Sequence, residues 1–287
     1  MLIRRAELAA EELADVRVRD RRIVEIGAAL AAAPDEEVID ASGAALLPGL
    51  HDHHLHLRAL AASLASVRCG PPQVADEAAL AAALRAADAK LAADTWLRGI
   101  GYHESVAGEL DRDWLDAAVP DRPLRVQHRS GRLWILNSAA LEQIAADDAA
   151  PLERKAGRYT GRLYDADDWL RRHIVTAPIS LHDASRLLAR HGVTGVTDTT
   201  HHNDAAALQG FADAQARGEL LQTVRAMGGA SLDTCNTTWP RVQRGEHKFH
   251  LHEHELPDFA ELVAAIRCSH KHGRCVAFHC VTRTELV

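Results

Sequence analysis

From residue 181 onwards, the sequence alternates between short β-branched apolar segments and longer segments in which Leu and Ala recur with helical spacing. The apolar segments, which predict strands, are "VTGVTDTT", "LLQTVRAMGG", "EHKFHLHEH" and "RCVAFHCVT". Strands that alternate with helices of about 10–15 residues form βαβ units, and these units build a parallel sheet. The alternation therefore predicts an α/β fold whose sheet is either a barrel or an open, doubly wound sheet.

The predicted helices carry recognisable start and stop signals. An Asn-Asp pair precedes one helix, and Pro257 lies near the start of another. Gly192, Gly218 and Gly273 each follow a helical segment, where glycine commonly ends a helix. No glycine-rich phosphate loop follows a predicted strand in this sequence, which makes a nucleotide-binding doubly wound sheet the weaker alternative.

The sequence before residue 181 has a different organisation. In residues 1–47, stretches such as "DVRVRDRRIVEIG" alternate polar and apolar residues, as half-buried strands do. The run "AALLPG" is continuously apolar and predicts a strand buried on both faces. In the segment from about 58 to 180, Ala-rich stretches with helical spacing alternate with strand-like stretches. We interpret these parts as a small β-module, the first strand of the parallel sheet, and a long insertion.

The composition disfavours several functional classes. A formal net charge of −7 and an aromatic content of 4% are unlike nucleic-acid surfaces, which need basic patches and stacking side chains. No apolar run reaches the roughly 18 residues of a membrane span, and the acidic N-terminal segment is unlike a signal peptide. The five cysteines form no CxxC pair and are expected to be free thiols. We therefore expect a cytoplasmic protein with no nucleic-acid or membrane partner.

Four histidines lie within six positions directly after the apolar run, at His51, His53, His54 and His56. Side chains alternate across a strand, so His54 and His56 share one side and form half of a zinc-type site. Active sites collect at the carboxyl ends of parallel strands. His279, near the end of the last predicted strand, is a candidate third ligand. The alternative is a polar loop that is rich in histidine by chance, and His51 and His53 are expected to be packing or loop residues.

Lys248 lies in a short predicted strand. A lysine inside a barrel is costly unless it is paired or its pKa is depressed, so its position there would indicate a function. A lysine that faces the surface is the alternative. In a strand, His250 and His252 would point to the same face as Lys248, and either could take its place as a metal ligand.

The segment "LLPGLHDHHLHL" resembles the strand-one motif of the amidohydrolase superfamily, Pro-Gly-x-x-Asp-x-His-x-His. The segments "GVTGVTDTT", "LQTVRAMGG", "HKFHL" and "VAFHCV" follow in the order of barrel strands two to five of that family. The long segment that contains "SGRLWILNSAAL" is similar to the amidohydrolase-3 (YtcJ-like) branch, which includes N-substituted formamide deformylases. The resemblance spans nearly the whole chain.

The resemblance implies an α/β fold with a TIM-type (β/α)8 barrel, flanked by a small β-sandwich. Residues 1–47 would be the N-terminal part of the sandwich, and residues 48–287 a metal-dependent hydrolase barrel with an insertion at about 58–180. One or two divalent ions, usually zinc, would lie at the mouth of the barrel. The implied function is hydrolysis of carbon–nitrogen bonds in small non-peptide amide, N-acyl or formamide compounds.

The family's functional residues can be carried over where the motifs match. The implied metal ligands are His54, His56, Lys248, which is carboxylated in some members, and His279. Asp52 matches the Asp of the motif and is expected to shape the turn. The residues that match a segment bordering the substrate pocket are His128, Trp134 and Asn137.

The chain departs from the family after the fifth strand. A barrel of this kind needs about 250 residues without large insertions, and much of this chain goes to its insertion. No residue matches the sixth-strand histidine or the eighth-strand aspartate that acts as general base, so we assign no catalytic base and decline Asp198 and Asp233 for that role. We expect an incomplete barrel with an open edge. Either the sequence is a fragment of a longer protein, or the protein is a degenerate relative, or a second copy or a partner chain covers the edge. The alternative function is a non-catalytic truncated relative, or a subunit that pairs with another chain.

Overall fold

A computed structural model describes residues 1–9, 12–92, 95–144, 150–174, 179–251 and 253–286, and for Ala9, Asp168 and His254 it describes the backbone alone. The strands are β1 (Leu2–Ala9), β2 (Glu12–Arg19), β3 (Arg22–Gly27), β4 (Val38–Asp40), β5 (Leu50–Leu55), β6 (Val67–Arg68), β7 (Leu97–Tyr102), β8 (Leu124–His128), β9 (Leu133–Leu136), β10 (Leu152–Lys155), β11 (Arg158–Tyr164), β12 (Val193–Asp198), β13 (Thr223–Gly228), β14 (Val242–His250) and β15 (Val276–His279). The α-helices are α1 (Leu57–Leu64), α2 (Glu77–Asp88), α3 (Glu104–Ala107), α4 (Arg112–Ala118), α5 (Ser138–Gln143), α6 (Asp167–His173), α7 (His182–Arg190), α8 (Ala205–Ala216), α9 (Phe259–Lys271) and α10 (Arg283–Leu286).

Five strands form a curled, parallel sheet in the order β5-β12-β13-β14-β15. Their order in space is their order in the chain, which confirms the predicted succession of strands one to five. The buried Val196, Val224 and Val242 of this sheet pack with Leu208 and Phe211 of α8. Within the described residues, β5 and β15 are the two edges of the sheet. The arrangement is consistent with an incomplete TIM-like barrel.

The predicted helix signals are confirmed at both ends. The Asp204 carboxylate accepts a hydrogen bond from the Ala207 N–H at the start of α8, and Asp258 caps α9 in the same way. Gly192 follows α7 with a φ of +74°, a left-handed conformation that glycine adopts readily. These local signals position each helix between the strands that it connects.

The N-terminal strands form a separate four-stranded sheet in the order β3-β2-β1-β4. Strands β1, β2 and β3 are antiparallel neighbours, and β4 is parallel to β1. The predicted strands are therefore present, but the prediction of half-burial is wrong for β3. Its apolar residues Ile23, Val24 and Ile26 are all more than half exposed. Whether this sheet is part of a β-sandwich stays a prediction.

The strand predicted at "AALLPG" is the main error of the sequence interpretation. The strand is β5, which begins only at Leu50, and Leu47 is 69% exposed. Pro48 has no N–H to donate to the ladder with β12, and pairing begins after it, where the Leu50 N–H donates to the Gly192 carbonyl. As a result, the histidines lie within the strand and at its end.

Residues 67–164 build a third sheet, in the order β10-β11-β9-β8-β7-β6. It lies within the segment for which we predict an insertion, and α2, α4 and α5 pack against it. Strands β6, β7 and β8 are parallel, while β8 to β11 are antiparallel neighbours. None of the described helices has both the length and the apolar character needed to cross a membrane.

Candidate metal centre

The first two candidate ligands lie where β5 meets α1. His54 is the last residue but one of the strand, and His56 directly precedes the helix. Their ring centroids are 5.8 Å apart. Leu57, directly after His56, is fully buried in the core beneath the sheet. This burial fixes the backbone at the strand end and leaves the two imidazoles at the carboxyl edge of the sheet.

A network at the end of β12 holds this strand end in place. The buried Asp198 carboxylate accepts hydrogen bonds from the Leu57 N–H (2.7 Å), the Thr200 N–H (3.1 Å) and the Asn203 side-chain amide (2.8 Å). The Thr200 hydroxyl in turn lies 3.0 Å from Nδ1 of His56. Asp198 therefore ties the segments after β5 and β12 together, and Thr200 orients the His56 ring.

The register of β14 and β15 places the other two candidates on one face. Lys248 is opposite Ala277, and His250 is opposite His279, so Lys248, His250 and His279 face the same side of the sheet. His247 faces the other side, where its Nδ1 lies 2.6 Å from the Ser269 hydroxyl on α9. Because α9 covers that outer side, Lys248 and His279 face the interior of the curled sheet.

The charges around His56 act on its pKa. Burial is the main cause that lowers the pKa of His56, and electrostatic interactions with His54, Lys248 and His279 lower it further. Asp198 acts in the opposite direction. A lowered pKa keeps the imidazole neutral, and the neutral ring is the form that binds a metal.

The donor types fit a zinc-type ion, because imidazole nitrogen is a preferred ligand of zinc. The spacing is wider than in a closed site. Among the described residues, the three ligand-type side chains whose atoms all lie within 4.8 Å of one another are Asp233, in the segment after β13, and Cys268 and His272, at the end of α9. His54, His56 and His279 would have to move closer together to share one ion.

Two further histidines extend the group: His250, the alternative to Lys248 that the sequence left open, and His201, which the sequence interpretation missed. His201 follows β12, and its ring centroid lies 4.8 Å from that of His250, which is 4.5 Å from that of His279. Imidazoles from three strand ends therefore form a row. The segment "TTHHND" directly after a predicted strand was the signal for His201. His252 lies outside the described residues.

A cavity of about 600 Å³ opens beside His56. Its lining includes Arg58, Arg171, Thr200 and His202, which come from α1, α6 and the segment after β12. This volume lies within the range of small-molecule sites, about 300–1,000 Å³. The lining carries two guanidinium groups, from Arg58 and Arg171, and two carboxylates, from Asp198 and Asp204.

The three candidate substrate residues lie in or next to the third sheet, β6 to β11, in different surroundings. His128 ends β8, with Nδ1 2.8 Å from the Ser130 hydroxyl and Nε2 3.2 Å from the Glu104 carboxylate. Trp134 is buried in β9, and its Nε1 donates to the Asp167 carboxylate at 2.9 Å. In the described part of the chain, no hydrogen bond, ion pair or ring contact joins these residues to the candidate metal ligands, and their substrate role stays a prediction.

Asn137 has a clear structural role. It is fully buried at the start of α5, where its Oδ1 accepts hydrogen bonds from the Leu124 and Ala140 N–H groups. Its Nδ2 donates to the Val119 and Arg122 carbonyls. An amide side chain has two donors and two acceptor sites, so these four contacts use all of them.

The fold is shared with solved structures. Crystal structures of uncharacterized metal-dependent hydrolases from Pyrococcus horikoshii OT3 and Pyrococcus furiosus superpose with TM-scores of 0.71 and 0.69. Their sequence identities are 16% and 18%, and the matches cover 99% and 98% of this chain and 65% and 66% of theirs. At these identities the likeness concerns the fold.

The model of the amidohydrolase family matches residues 37–286, and the chain belongs to this family, as predicted. N-substituted formamide deformylase from Arthrobacter pascens is 30% identical over 219 residues. That match covers 69% of this chain and 40% of the relative. The chain thus spans less than half of this curated relative and just under two thirds of the two solved structures.

Proposed function

We propose that the chain is a metal-dependent hydrolase of carbon–nitrogen bonds in small non-peptide amides, N-acyl compounds or N-substituted formamides. Membership of the amidohydrolase family supports this function, and the deformylase relative supports the substrate class. The observation that carries the proposal is that His54 and His56, with rings 5.8 Å apart at the end of β5, and Lys248 and His279, on one face of β14 and β15, lie on the same parallel sheet. The comparisons give no support to the alternative of a non-catalytic relative.

In this proposal, His54, His56 and His279 hold a divalent ion, for which we propose zinc, and a carboxylated Lys248 can serve a second ion. When bound, the ion supplies Lewis acidity towards water and the substrate carbonyl. The Thr200 hydroxyl keeps the His56 ring in one orientation, with Nδ1 engaged and Nε2 available. A partner that orients the second ring nitrogen is a common feature of metal-binding histidines.

The chain's own residues also limit where protons can go. Asp198 is buried, and its carboxylate is occupied by three N–H donors, so we assign it a positioning role. Asp233 is bound to the buried Arg274 at 2.5 Å. Both carboxylates are already held by donors, and we propose neither as the base.

We also propose the finer features that follow from the family. The sheet of residues 1–47 is proposed to be part of a β-sandwich, because the exposed apolar side chains of β3 need a cover. A second copy or a partner chain is proposed to pair with the open edge at β15. We propose that the protein acts in the cytoplasm.

The test uses the purified chain, loaded with zinc, and an N-substituted formamide as substrate, with formate release as the readout. We expect His54→Ala to lower the rate by at least about 10–100-fold, as loss of a metal-site group typically does. His53→Ala is the matched control, because His53 is a neighbouring exposed imidazole on the opposite face of the strand. This variant should keep the wild-type rate of formate release. Formate release that is equal in both variants, or absent from the loaded wild-type protein, would overturn the proposal.

A further inference from the structure

A second cavity, of about 450 Å³, lies between the third sheet and the helices α1 and α2, and it shares no lining residue with the cavity beside His56. Its lining includes Ser66, Lys90, Leu91, Trp96, Arg98 and Arg125. The helix α1 separates the two regions, because His56 precedes it and Ser66 follows it. Eight helical residues span about 12 Å, so the second cavity is a distinct place in the molecule.

Two arginines dominate this cavity. Arg98 and Arg125 are directly opposite each other on the parallel strands β7 and β8. Like charges at opposite positions of neighbouring strands are destabilising unless something neutralises them. Arg98 donates a hydrogen bond to the Ser66 hydroxyl at 3.0 Å, and this acceptor carries no charge.

The guanidinium group of Arg125 has fewer polar partners than that of Arg98. Its buried Nε has no hydrogen-bond partner among the described residues. Its guanidinium carbon lies 5.1 Å from the Trp134 ring centroid and 5.8 Å from that of Trp96, and Arg98 also lies over Trp134, at 5.3 Å. Aromatic faces attract such cations, but they do not neutralise them.

The surroundings of Arg125 disfavour its charged form. Burial, followed by the charge of Arg98, lowers the pKa of Arg125 to about 10. Asp167 is the carboxylate that acts in the opposite direction, and it accepts a hydrogen bond from Trp134 Nε1. A buried charge of this kind is normally paired, so the arrangement is suited to an incoming anion.

We propose that this cavity binds a small monocarboxylate with an apolar body. Two guanidinium groups on one side match a carboxylate, which arginine binds through paired hydrogen bonds. The buried Nε1 of Trp96 also has no acceptor among the described residues. Leu91, Ile179 and the face of Trp96 line the remainder of the cavity and would contact the apolar body.

The test titrates phenylacetate into the purified chain and follows tryptophan fluorescence and the heat of binding. Phenylacetamide, which is neutral and similar in shape, should bind at least about 10-fold more weakly, because it lacks the charge that the arginines pair with. Arg125→Gln should weaken phenylacetate binding by at least about 10-fold, as expected when a charged partner is lost. Arg190→Gln, at an exposed arginine on α7, is the matched control and should leave binding unchanged.

A structural role for Arg125 is distinguished by thermal unfolding. Without ligand, Arg125→Gln should unfold at the same or a higher temperature than wild type, because an unpaired buried charge is removed. Phenylacetate should raise the unfolding temperature of the wild type and leave that of Arg125→Gln unchanged. If Arg125→Gln does not fold, Arg125→Lys replaces it, since lysine cannot reproduce the paired hydrogen bonds and should still weaken binding. Equal binding by the arginine variants and the wild type, or no binding by the wild type at millimolar phenylacetate, would overturn the proposal.

Discussion

The role of Asp198 gives the most specific prediction. Its carboxylate is 1% exposed and accepts three hydrogen bonds, one on Oδ2 from Leu57 and two on Oδ1 from Thr200 and Asn203. In Asp198→Asn, one of the two oxygens becomes an NH₂ group, which cannot accept. At least one buried N–H donor then loses its partner, and the remaining bonds lose the assistance of a charge.

The expected cost follows from these contacts. An unsatisfied buried donor costs about 1–3 kcal/mol, and with the weakened remaining bonds we expect Asp198→Asn to lower the free energy of unfolding by about 2–4 kcal/mol. Asp204→Asn is the matched control. Asp204 is exposed and caps α8 with one hydrogen bond, and asparagine is an equally good cap, so we expect a change below about 0.5 kcal/mol.

The measurement is urea denaturation of both variants and the wild type, followed by circular dichroism. A loss below about 1 kcal/mol in Asp198→Asn would refute the argument, because one orphaned buried donor already costs that much. An equal loss in Asp204→Asn would also refute it, since the effect would then not depend on burial. Metal affinity should fall in Asp198→Asn and stay constant in Asp204→Asn, because Asp198 holds the strand end that carries His56.

Three further predictions concern other parts of the molecule. Asn137→Ala should lower the free energy of unfolding by about 2–5 kcal/mol in the same assay, because it leaves the Leu124 and Ala140 N–H groups without acceptors; no change would exclude the structural role. Burial lowers the pKa of His247 below its ordinary value of 6.5. The buried neutral imidazole therefore contributes stability that is fully present above pH 6.5. This stability is lost as the pH falls through the lowered pKa of the folded state. The unfolding temperature should decline over that window, and His247→Gln should reduce the decline; an unchanged decline would contradict the assignment. Burial raises the pKa of Cys69 to about 12, so iodoacetamide should label the exposed Cys268 in the native protein and leave Cys69 unlabelled, as peptide mass spectrometry can show.

The elements that the sequence predicted well are those specified by local patterns. The periodicity of apolar residues and the helix caps are encoded within a few neighbouring positions, as at Asp204 and Gly192. The order of β5 and β12 to β15 follows because connections between parallel strands are short and the helices lie in between. The parity of His54 and His56 is equally local, since it depends only on the alternation of a strand.

Other features depend on contacts between distant segments. The start of β5 is set by its pairing with β12, more than 140 residues away, and the apolar run alone misplaced it. The hydrogen bonds of Asp198 and Asn137 are likewise made to backbone groups that no motif identifies. The juxtaposition of Arg98 and Arg125 depends on the register of β7 and β8, which sequence spacing does not specify.

The central claim is that the histidines at the end of β5 bind the metal. We would strip the protein with a chelator, titrate zinc by calorimetry, and measure bound metal by mass spectrometry. We expect His54→Ala and His56→Ala each to weaken zinc binding by at least about 10-fold. The His53→Ala and Cys268→Ser variants should bind zinc as the wild type does. Zinc binding that survives both strand-end substitutions and is lost in Cys268→Ser would place the ion at the end of α9 and contradict the account.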